Sequence, residues 1–356
     1  SQDYTKSKFV PVTVDVLTKS RYYSTLPSCL LSITQQTVVP SNVIIVDDTP
    51  ISKRVDMRQI PVLQNIFALF DKLGIRWEVV FGDDRGMSHG HNIIIDRAPT
   101  EFIWRIDDDQ FVEPNVLQTL CRLISSDPTI GAASCLILDP KTYVTLKDNT
   151  KIANKLGDIF DCPNFQWSKY DNNSVVQAEH LYSSFIFRKE ASGHKFCKEL
   201  SKVAHREDTI FTHTMAHGGW KLMIDTSVII WHLREPVGGI REEGNTADLW
   251  DHDEEIFKKK LLGWNKTIEI PKMIVLDNGL GDHLVFRSIL PEIQAKYKNL
   301  ILAVCYPEVF GDYDIEIISI ADAAKSVNLE DYNIYKWCTD KNWKGQLVDA
   351  FRSMYL

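Results

Sequence analysis

Three consecutive carboxylates, Asp107, Asp108 and Asp109, follow an apolar run that contains one charged residue, Arg105, in the stretch EFIWRIDDDQFV. Such a run predicts a buried strand with the carboxylates at its exit. Because ligands bind outside the carboxyl ends of the strands in an open parallel sheet, we expect these acids to face a crevice. Asp107 and Asp109 could then bind one hard cation, Mg²⁺ or Mn²⁺, through oxygen. A solvated acidic turn would be the alternative reading of the same residues.

A second predicted strand also ends in acids. Residues 43–46 are apolar throughout and lead into Asp47 and Asp48. A first strand over residues 10–18 precedes it, and strands alternate with helical patterns as far as the triple aspartate. This order predicts a parallel sheet with right-handed crossovers, so both acidic strand ends should meet at one edge. The loop GDDRGMSHGHN at residues 82–92 has glycines that would let its backbone approach a ligand closely.

The remaining elements follow from hydrophobic periodicity and from turn residues. We predict helices over residues 22–35, 60–73, 90–98, 115–125, around 190–200, 205–219, 283–296 and 344–355, and further strands over residues 77–81, 131–138, 181–188, 221–224, 228–232, 273–276, 300–304 and 315–320. Residues 139–180 are polar and irregular, and we interpret them as an insertion that could contact an acceptor.

Length and composition favour a two-domain protein of ordinary globular type. The chain has 356 residues, of which 44% are hydrophobic and 25% charged, and a change of pattern near residue 271 predicts domains over residues 1–270 and 271–356. Its net charge of −8 disfavours nonspecific nucleic-acid binding and leaves a local basic groove open. Without an apolar run of about 20 residues or the core of a signal peptide, we predict a cytoplasmic protein.

The cysteines do not suggest a metal site or a disulfide framework. There are seven of them, they are scattered, and they form no CxxC pair. We therefore expect reduced and mostly buried thiols.

Five features in sequence order resemble the GT-A glycosyltransferases, most closely family 2, over roughly residues 10–243. They are Thr18 and Arg21 followed by CLLSITQQTVVPSNVIIVDD, then GMSHGHNIIIDRA, RIDDDQF with its DxD pattern, REDTIFTHTMAHGGWKLM and IIWHLREPVGGIR. The resemblance implies a Rossmann-like α/β fold, with a mainly parallel sheet flanked by helices. It also implies transfer of a hexosyl or pentosyl group, with inversion, from a nucleoside diphosphate sugar, usually a UDP-sugar, with the assistance of Mn²⁺ or Mg²⁺.

Residue roles follow from the same resemblance. The implied metal ligands are Asp109, Asp107 and His232, although a histidine after an apolar strand is often structural. The implied nucleotide-sugar-binding residues are Thr18, Arg21, Asp48, Arg85, Asn92, Asp107, Asp108 and Arg241. Donor contacts are implied over residues 10–136, and acceptor and base contacts over residues 137–243.

Two acids at the start of a helix are the implied catalytic residues. Asp208 matches the general base of an inverting displacement, and Glu207 is the second candidate. Both acids would also stabilise the N-terminus of their helix, which is the structural alternative. Gly238 and Gly239 would be the hinges of a lid, with Arg241 as a phosphate clamp. His91 stands where the family often has arginine, just before Asn92.

The C-terminal stretch KMIVLDNGLGDHLVFRSILPEI resembles the opening strand, glycine loop and helix of GT-B heptosyltransferase-like enzymes. The likeness spans about twenty residues, and so short a domain cannot hold two Rossmann halves. We therefore expect a small α/β domain that serves in packing, homodimerisation or acceptor docking.

The predicted function is glycosyl transfer to an acceptor hydroxyl, expected to be that of a glycan, with a protein side chain or a hydroxylated DNA base left open. A catalytically silent GT-A domain that binds carbohydrate or nucleotide sugar is the alternative. A nucleotidyltransferase is disfavoured, because that chemistry usually wants an early glycine-rich loop and the first strand runs into Thr18, Lys19, Ser20 and Arg21.

Overall fold

The computed structural model describes residues 9–141, 152–157, 159, 173–242, 246–268, 271–324 and 332–356. The chain divides into two compact units, one of residues 1–155 with 169–267 and the other of residues 156–168 with 268–356. Most of the predicted insertion at residues 139–180 lies outside the described residues, as does the side chain of Arg241.

The first unit is built on a sheet whose first half is parallel. Strands β1 (Phe9–Thr18), β2 (Val39–Asp47), β3 (Arg76–Phe81) and β4 (Phe102–Asp107) lie in the order β3-β2-β1-β4. Their pairing aligns Asp47 with Thr18 and Asp107 with Leu17. The two acidic strand ends therefore lie on either side of the end of β1, as the sequence predicts.

Helices cover this half of the sheet because their apolar residues recur at helical spacing. They are α1 (Leu26–Thr34), α2 (Pro61–Leu73) and α3 (Met87–Arg97). Leu63, Ile66, Phe67 and Phe70 of α2 are buried against the core, as one face of a 3.6-residue period requires. Helix α3 lies close to β1, since a Cβ at Gly90 would lie 2.5 Å from a methyl carbon of Leu17.

The second half of the sheet mixes strand directions. It contains β5 (Gln110–Val112), β6 (Ile130–Leu138), β7 (Val175–Ala178), β8 (Phe185–Arg188) and β9 (Lys221–His232). Strand β8 pairs antiparallel with β4 and β6, β9 runs parallel to β6, and both β5 and β7 pair antiparallel with β9. The helices of this half are α4 (Val116–Ser126), α5 (Glu207–His217) and α6 (Thr246–Gly263).

The second unit has its own small parallel sheet and core. Strands β10 (Lys272–Leu276), β11 (Leu300–Val304) and β12 (Glu316–Ile318) are accompanied by α7 (Leu280–Lys296), α8 (Ile320–Ala323), α9 (Ile334–Asp340) and α10 (Leu347–Tyr355). Phe286 and Phe351 are fully buried where α7 and α10 pack together. The predicted α/β class, with a mostly parallel sheet flanked by helices and a small C-terminal α/β unit, is confirmed.

Several element predictions were wrong. The helix predicted around residues 190–200 is a short 3-10 turn at Lys189–Ser192, and the strands predicted at 221–224 and 228–232 form one strand, β9. The strand predicted over 181–188 starts at Phe185, and the one predicted over 315–320 ends at Ile318 before a short helix. Helix α6 was not predicted, because the face that packs on the protein includes the acids Asp253 and Glu254, which bind a distant turn.

In the described part of the chain, no helix combines the length and the apolar character needed to cross a bilayer. Cysteines in the same part, a set that leaves out Cys162, carry no disulfide.

Candidate active site

Three potential metal ligands meet at the carboxyl end of the sheet. Asp107, Asp109 and His232 each offer one ligand atom, and these atoms all lie within 4.8 Å of one another. His232 Nε2 is 3.2 Å from Asp109 Oδ1. The antiparallel pairing of Gln110 with His232 explains this closeness, since it sets the end of β9 beside the residue that precedes β5.

This set of donors fits a divalent cation that accepts hard ligands. Two carboxylates and one imidazole suit Mn²⁺, and Mg²⁺ takes the same carboxylate oxygens. Burial opposes the ionisation of Asp109, but the hydrogen bond and charge of His232 and the charge of Arg21 outweigh it and lower the pKa of this carboxyl to about 2. Asp109 is therefore an anionic ligand at neutral pH.

Asp108 points away from this cluster into the protein. Its carboxylate accepts a hydrogen bond from Thr18 Oγ1 at 2.8 Å and one from Arg21 Nη1 at 2.6 Å. Burial raises the pKa of Asp108 to about 6, against the opposing charge of Arg21. Of the three successive aspartates, the outer two thus form the candidate cation site, and the middle one binds Thr18 and Arg21.

Arg21 also holds the segment that follows β9. Its Nη1 lies 3.4 Å from Asp109 Oδ2, and its Nη2 donates to the carbonyl oxygen of Glu235 at 2.8 Å. The Glu235 amide in turn donates to Asp109 Oδ2 at 3.3 Å. The three residues tie the segment after β9 to the edge of the cation site.

The predicted hinge glycines lie against the side chain of Arg21. Gly238 and Gly239 have φ angles of 72° and 80°, a region that side chains rarely adopt. A Cβ on either would come within 2.9 Å of the Arg21 side chain. Gly239 N–H donates to the carbonyl oxygen of Lys19 at 2.7 Å, so this segment lies against the end of β1.

Asp48 fixes the glycine-containing loop at residues 82–92. Its carboxylate accepts the backbone N–H of Arg85 at 3.2 Å and that of Gly86 at 2.9 Å. Burial raises its pKa, although the two N–H donors oppose this. A Cβ at Gly82 would lie 2.6 Å from Asp48 Oδ1, and the Arg85 side chain is exposed at the rim of this loop. Asp48 thus serves at least as an anchor for the loop.

Asn92 is engaged inside the protein. Its side-chain amide donates to the carbonyl oxygen of Phe196 at 3.0 Å, and its side-chain oxygen accepts the Phe196 N–H at 2.8 Å. The neighbouring His91 is buried and contacts both carboxylate oxygens of Asp15 at 2.9 Å. These contacts join Asn92 of α3 to the backbone of Phe196.

The two candidate catalytic acids have different surroundings. Glu207 is buried and binds Arg105 through two hydrogen bonds, of 2.6 and 2.5 Å. Asp208 is half-buried; one carboxylate oxygen accepts the Ser183 N–H and the other accepts the Thr209 N–H, both at 2.8 Å. Asp208 is therefore the more exposed of the two acids, and Glu207 is paired with Arg105.

Helix α6 supports the start of the helix that carries both acids. Buried Asp253 accepts hydrogen bonds from the Ser201 N–H, the Ser201 hydroxyl and the His205 N–H at 2.6–2.8 Å. Glu254 binds His205 and Arg206 at 2.7 Å. Arg206 has a φ of 70° at the helix start, so the Asp253 and Glu254 contacts hold a strained turn directly before the acids.

Two polar residues inside the site, Ser183 and Gln110, were not predicted from the sequence. Both contact Asp107, and Ser183 also contacts Asp208. Gln110 directly follows the triple aspartate and could have been selected from that spacing. Ser183 lies before a short strand, with no motif to mark it.

A family model described as "Glycosyl transferase family 2" matches residues 14–187. The matched segment contains Asp48 and all three successive aspartates, and it ends before Asp208 and His232. The match supports the predicted resemblance of this segment to family 2 glycosyltransferases. No curated protein sequence matches the chain significantly.

Solved structures similar to the chain include a mannosyltransferase, PcManGT, from Pyrobaculum calidifontis in complex with GDP-Man and Mn²⁺, at 18% identity and a TM-score of 0.44, covering 64% of this chain and 58% of that one. GalNAc-T7 with UDP, GalNAc and Mn²⁺ is similar at 14% identity and a TM-score of 0.48, covering 71% and 55%. S. aureus TarS 1–349 with UDP-GlcNAc is similar at 13% identity and a TM-score of 0.48, covering 73% and 68%. The chain spans less than two thirds of the length of the first two structures.

Proposed function

We propose that the protein is a glycosyltransferase that moves a sugar from a nucleoside diphosphate sugar to an acceptor hydroxyl with the assistance of Mn²⁺ or Mg²⁺. The observation that carries this proposal is the cluster of Asp107, Asp109 and His232 at the carboxyl end of the sheet. Two of its three members lie in the segment that matches the family 2 model. The match alone would support the reaction class, and the cluster adds ligands suited to a diphosphate-bound cation.

In the proposed donor complex, the bound cation would offset the charge that grows on the diphosphate as the glycosidic bond breaks. Asp48 and its loop would receive the nucleoside, which we take to be uridine. Thr18 and Arg21 would line the same crevice, since Arg21 already lies against Asp108 and Asp109. Arg85, exposed on the loop, and Arg241 remain proposed phosphate contacts.

Asp208 is the proposed general base. The acceptor oxygen forms a bond to the anomeric carbon, the bond from that carbon to the diphosphate oxygen breaks, and the acceptor proton passes to the Asp208 carboxylate. Attack on the face opposite the leaving group would invert the anomeric centre. The two backbone N–H donors on Asp208 support this role because they hold its carboxylate in one orientation.

A glycan is the proposed acceptor. The net charge of −8 makes a DNA acceptor less favourable, because a DNA-binding surface must neutralise phosphates. Hexosyl or pentosyl transfer and a cytoplasmic location remain predictions, and the second unit remains a proposed element for packing, homodimerisation or acceptor docking.

The first experiment measures the thermal midpoint against a panel of nucleotide sugars, each with and without Mn²⁺. A ligand that binds only the folded state must raise the midpoint. A rise with one UDP-sugar that requires Mn²⁺, followed by release of UDP when acceptor glycans are added, is the expected result. A shift without UDP release under any condition would favour a silent binding module, and the absence of any shift would contradict the donor site.

A further inference from the structure

Ser183 contacts both acids on which the proposed reaction depends. Its hydroxyl donates to Asp107 Oδ2 at 2.5 Å, and its backbone N–H donates to Asp208 Oδ2 at 2.8 Å. The residue is buried, with 3% of its surface exposed. One residue of the turn before β8 therefore joins a candidate metal ligand on β4 to the candidate base on α5.

Gln110 fixes the direction of these hydrogen bonds. Its side-chain oxygen accepts the Asp107 N–H at 3.0 Å, so its Nε2 must be the atom that faces Ser183, at 2.6 Å. Because Nε2 can only donate, the Ser183 oxygen accepts from it, and the single hydroxyl proton of Ser183 is left for Asp107. Gln110 is fully buried, which excludes water as a competing partner at this point.

Ser183 adopts a conformation that serine avoids. Its φ is 59°, in the left-handed region, which is strained for a residue with a Cβ. The conformation is held by contacts on both sides of the residue, and it lets the N–H and the hydroxyl serve two different carboxylates. Glycine would adopt this turn conformation with less strain than serine. The contact with Asp107, however, needs the serine hydroxyl.

We infer that Ser183 is a positioning residue that couples the cation site to the general base, through its hydroxyl on Asp107 and its N–H on Asp208. This inference rests on the proposed function. A cation that draws the Asp107 carboxylate toward itself also pulls on the Ser183 turn, and the turn sets the orientation of Asp208. Groups that orient metal ligands in this way typically change metal affinity or activity by roughly 10–100-fold when removed.

The test compares Ser183→Ala with Ser184→Ala. Ser184 is the next residue, equally buried, and its hydroxyl donates to the backbone oxygen of Arg105 at 2.6 Å instead of to either acid. Ser183→Ala loses two hydrogen bonds, with Asp107 and Gln110, and Ser184→Ala loses one, so both thermal midpoints should fall and that of Ser183→Ala should fall further. Ser183→Gly is made in parallel, because glycine adopts a φ of 59° without strain and keeps the N–H if the alanine variant does not fold.

Mn²⁺ binding is first measured without donor, from the electron paramagnetic resonance signal of free Mn²⁺. We expect the half-saturating Mn²⁺ concentration to rise about tenfold in Ser183→Ala and to stay at the wild-type value in Ser184→Ala. At saturating Mn²⁺, kcat should remain lowered in Ser183→Ala while KM for the donor stays within about twofold, since the base and not the donor site is displaced.

Two results separate failure of this inference from failure of the proposed function. Equal Mn²⁺ affinity and equal kcat in the two alanine variants, with an active wild type, would give Ser183 a purely structural role and overturn the inference alone. A wild type that neither binds Mn²⁺ nor turns over any nucleotide sugar would overturn the proposed function, and the inference with it.

Discussion

The guanidinium of Arg105 binds the carboxylate of Glu207 through two hydrogen bonds, although the residues are 102 positions apart in the sequence. Both side chains are buried, and Arg105 also lies over the rings of Phe185 and Phe196. The pair joins β4, which leads to the triple aspartate, to the first turn of α5. Glu207 thereby anchors the helix, and Asp208 beside it is directed toward the site.

Glu207→Gln should destabilise the protein strongly. Glutamine cannot neutralise Arg105, which keeps only a 3.5 Å contact with Asp107, and removing one partner of a buried ion pair costs about 3–5 kcal/mol of unfolding free energy. Urea unfolding followed by tryptophan fluorescence measures the loss. Glu78→Gln is the matched control, because Glu78 forms the same two-bond pair with Arg97 at the surface, where the cost should be below about 1 kcal/mol. Equal costs for the two variants would contradict an anchoring role.

Asp208→Asn should remove turnover while leaving the fold and donor binding intact. The amide occupies nearly the same volume and keeps one of the two contacts, with Ser183 N–H or Thr209 N–H, through its single oxygen, but it cannot take a proton from the acceptor. We expect kcat to fall by at least about 100-fold, as is typical when a general base is lost. Wild-type turnover would return Asp208 to a helix-capping role.

Asp109→Asn should abolish the Mn²⁺-dependent rise of the thermal midpoint with the donor. The variant loses the negative charge that pairs with Arg21 and His232 and that would hold the cation. Differential scanning fluorimetry with and without Mn²⁺ measures this response. Asp139→Asn serves as a control, since Asp139 is an acid paired with Arg234 outside the cluster. A variant at Asp109 that still responds to Mn²⁺ would remove it from the cation site.

Gly86→Ala should disrupt the loop that Asp48 holds. Gly86 has a φ of 95°, and a Cβ there would lie 2.4 Å from the Cα of Lys202. The backbone must move, so the Gly86 N–H should leave Asp48 and donor affinity should fall along with the thermal midpoint. Gly193→Ala is the control, because its φ of −58° is ordinary and no neighbouring atom lies within 4 Å of the added carbon. If both variants lowered donor affinity and the thermal midpoint by similar amounts, the close approach of Gly86 to Lys202 would not explain the effect.

Stability should fall as the pH decreases from about 6.5 to about 4, in part through His180. Burial lowers the pKa of this histidine to about 4, so in this window the unfolded chain binds a proton that the folded protein does not. The full effect of a shift of this size is about 3 kcal/mol. Urea unfolding across the window should show a smaller pH slope for His180→Gln than for the wild type. Identical slopes would show that His180 titrates alike in both states.

The parallel half of the fold could be predicted from the sequence because its signals are local. The apolar strands that end in Asp47 and Asp107, with amphipathic helices between them, are compatible with few arrangements of the chain. The helix predicted around residues 190–200 failed because its apolar residues pack as single anchors, as Phe196 does on Phe211. Helix α6 was missed because it is held by Asp253 and Glu254 bonding to a distant turn, which no periodic pattern reveals.

The sequence was sufficient to predict which acids lie in the candidate site, but not which contacts each of them makes. Spacing selected Asp107, Asp108 and Asp109 together, whereas only the pairing of β5 with β9 separates the two outer acids from the middle one. Asn92 and Glu207 were chosen for their positions in motifs, and tertiary contacts occupy both side chains. The contacts of Ser183 depend on a left-handed backbone conformation that no sequence motif indicates.

The short distance between Asp109 and His232 should affect the unfolding of the chain when a cation is bound. A cation held by both would act as a removable crosslink between the segment that matches the family model and the strand that lies beyond it. A cation that binds only where both residues are brought together stabilises the folded protein over the unfolded chain. Saturating Mn²⁺ should therefore slow global unfolding and protect the backbone around β9 from proteases, even before any sugar donor binds.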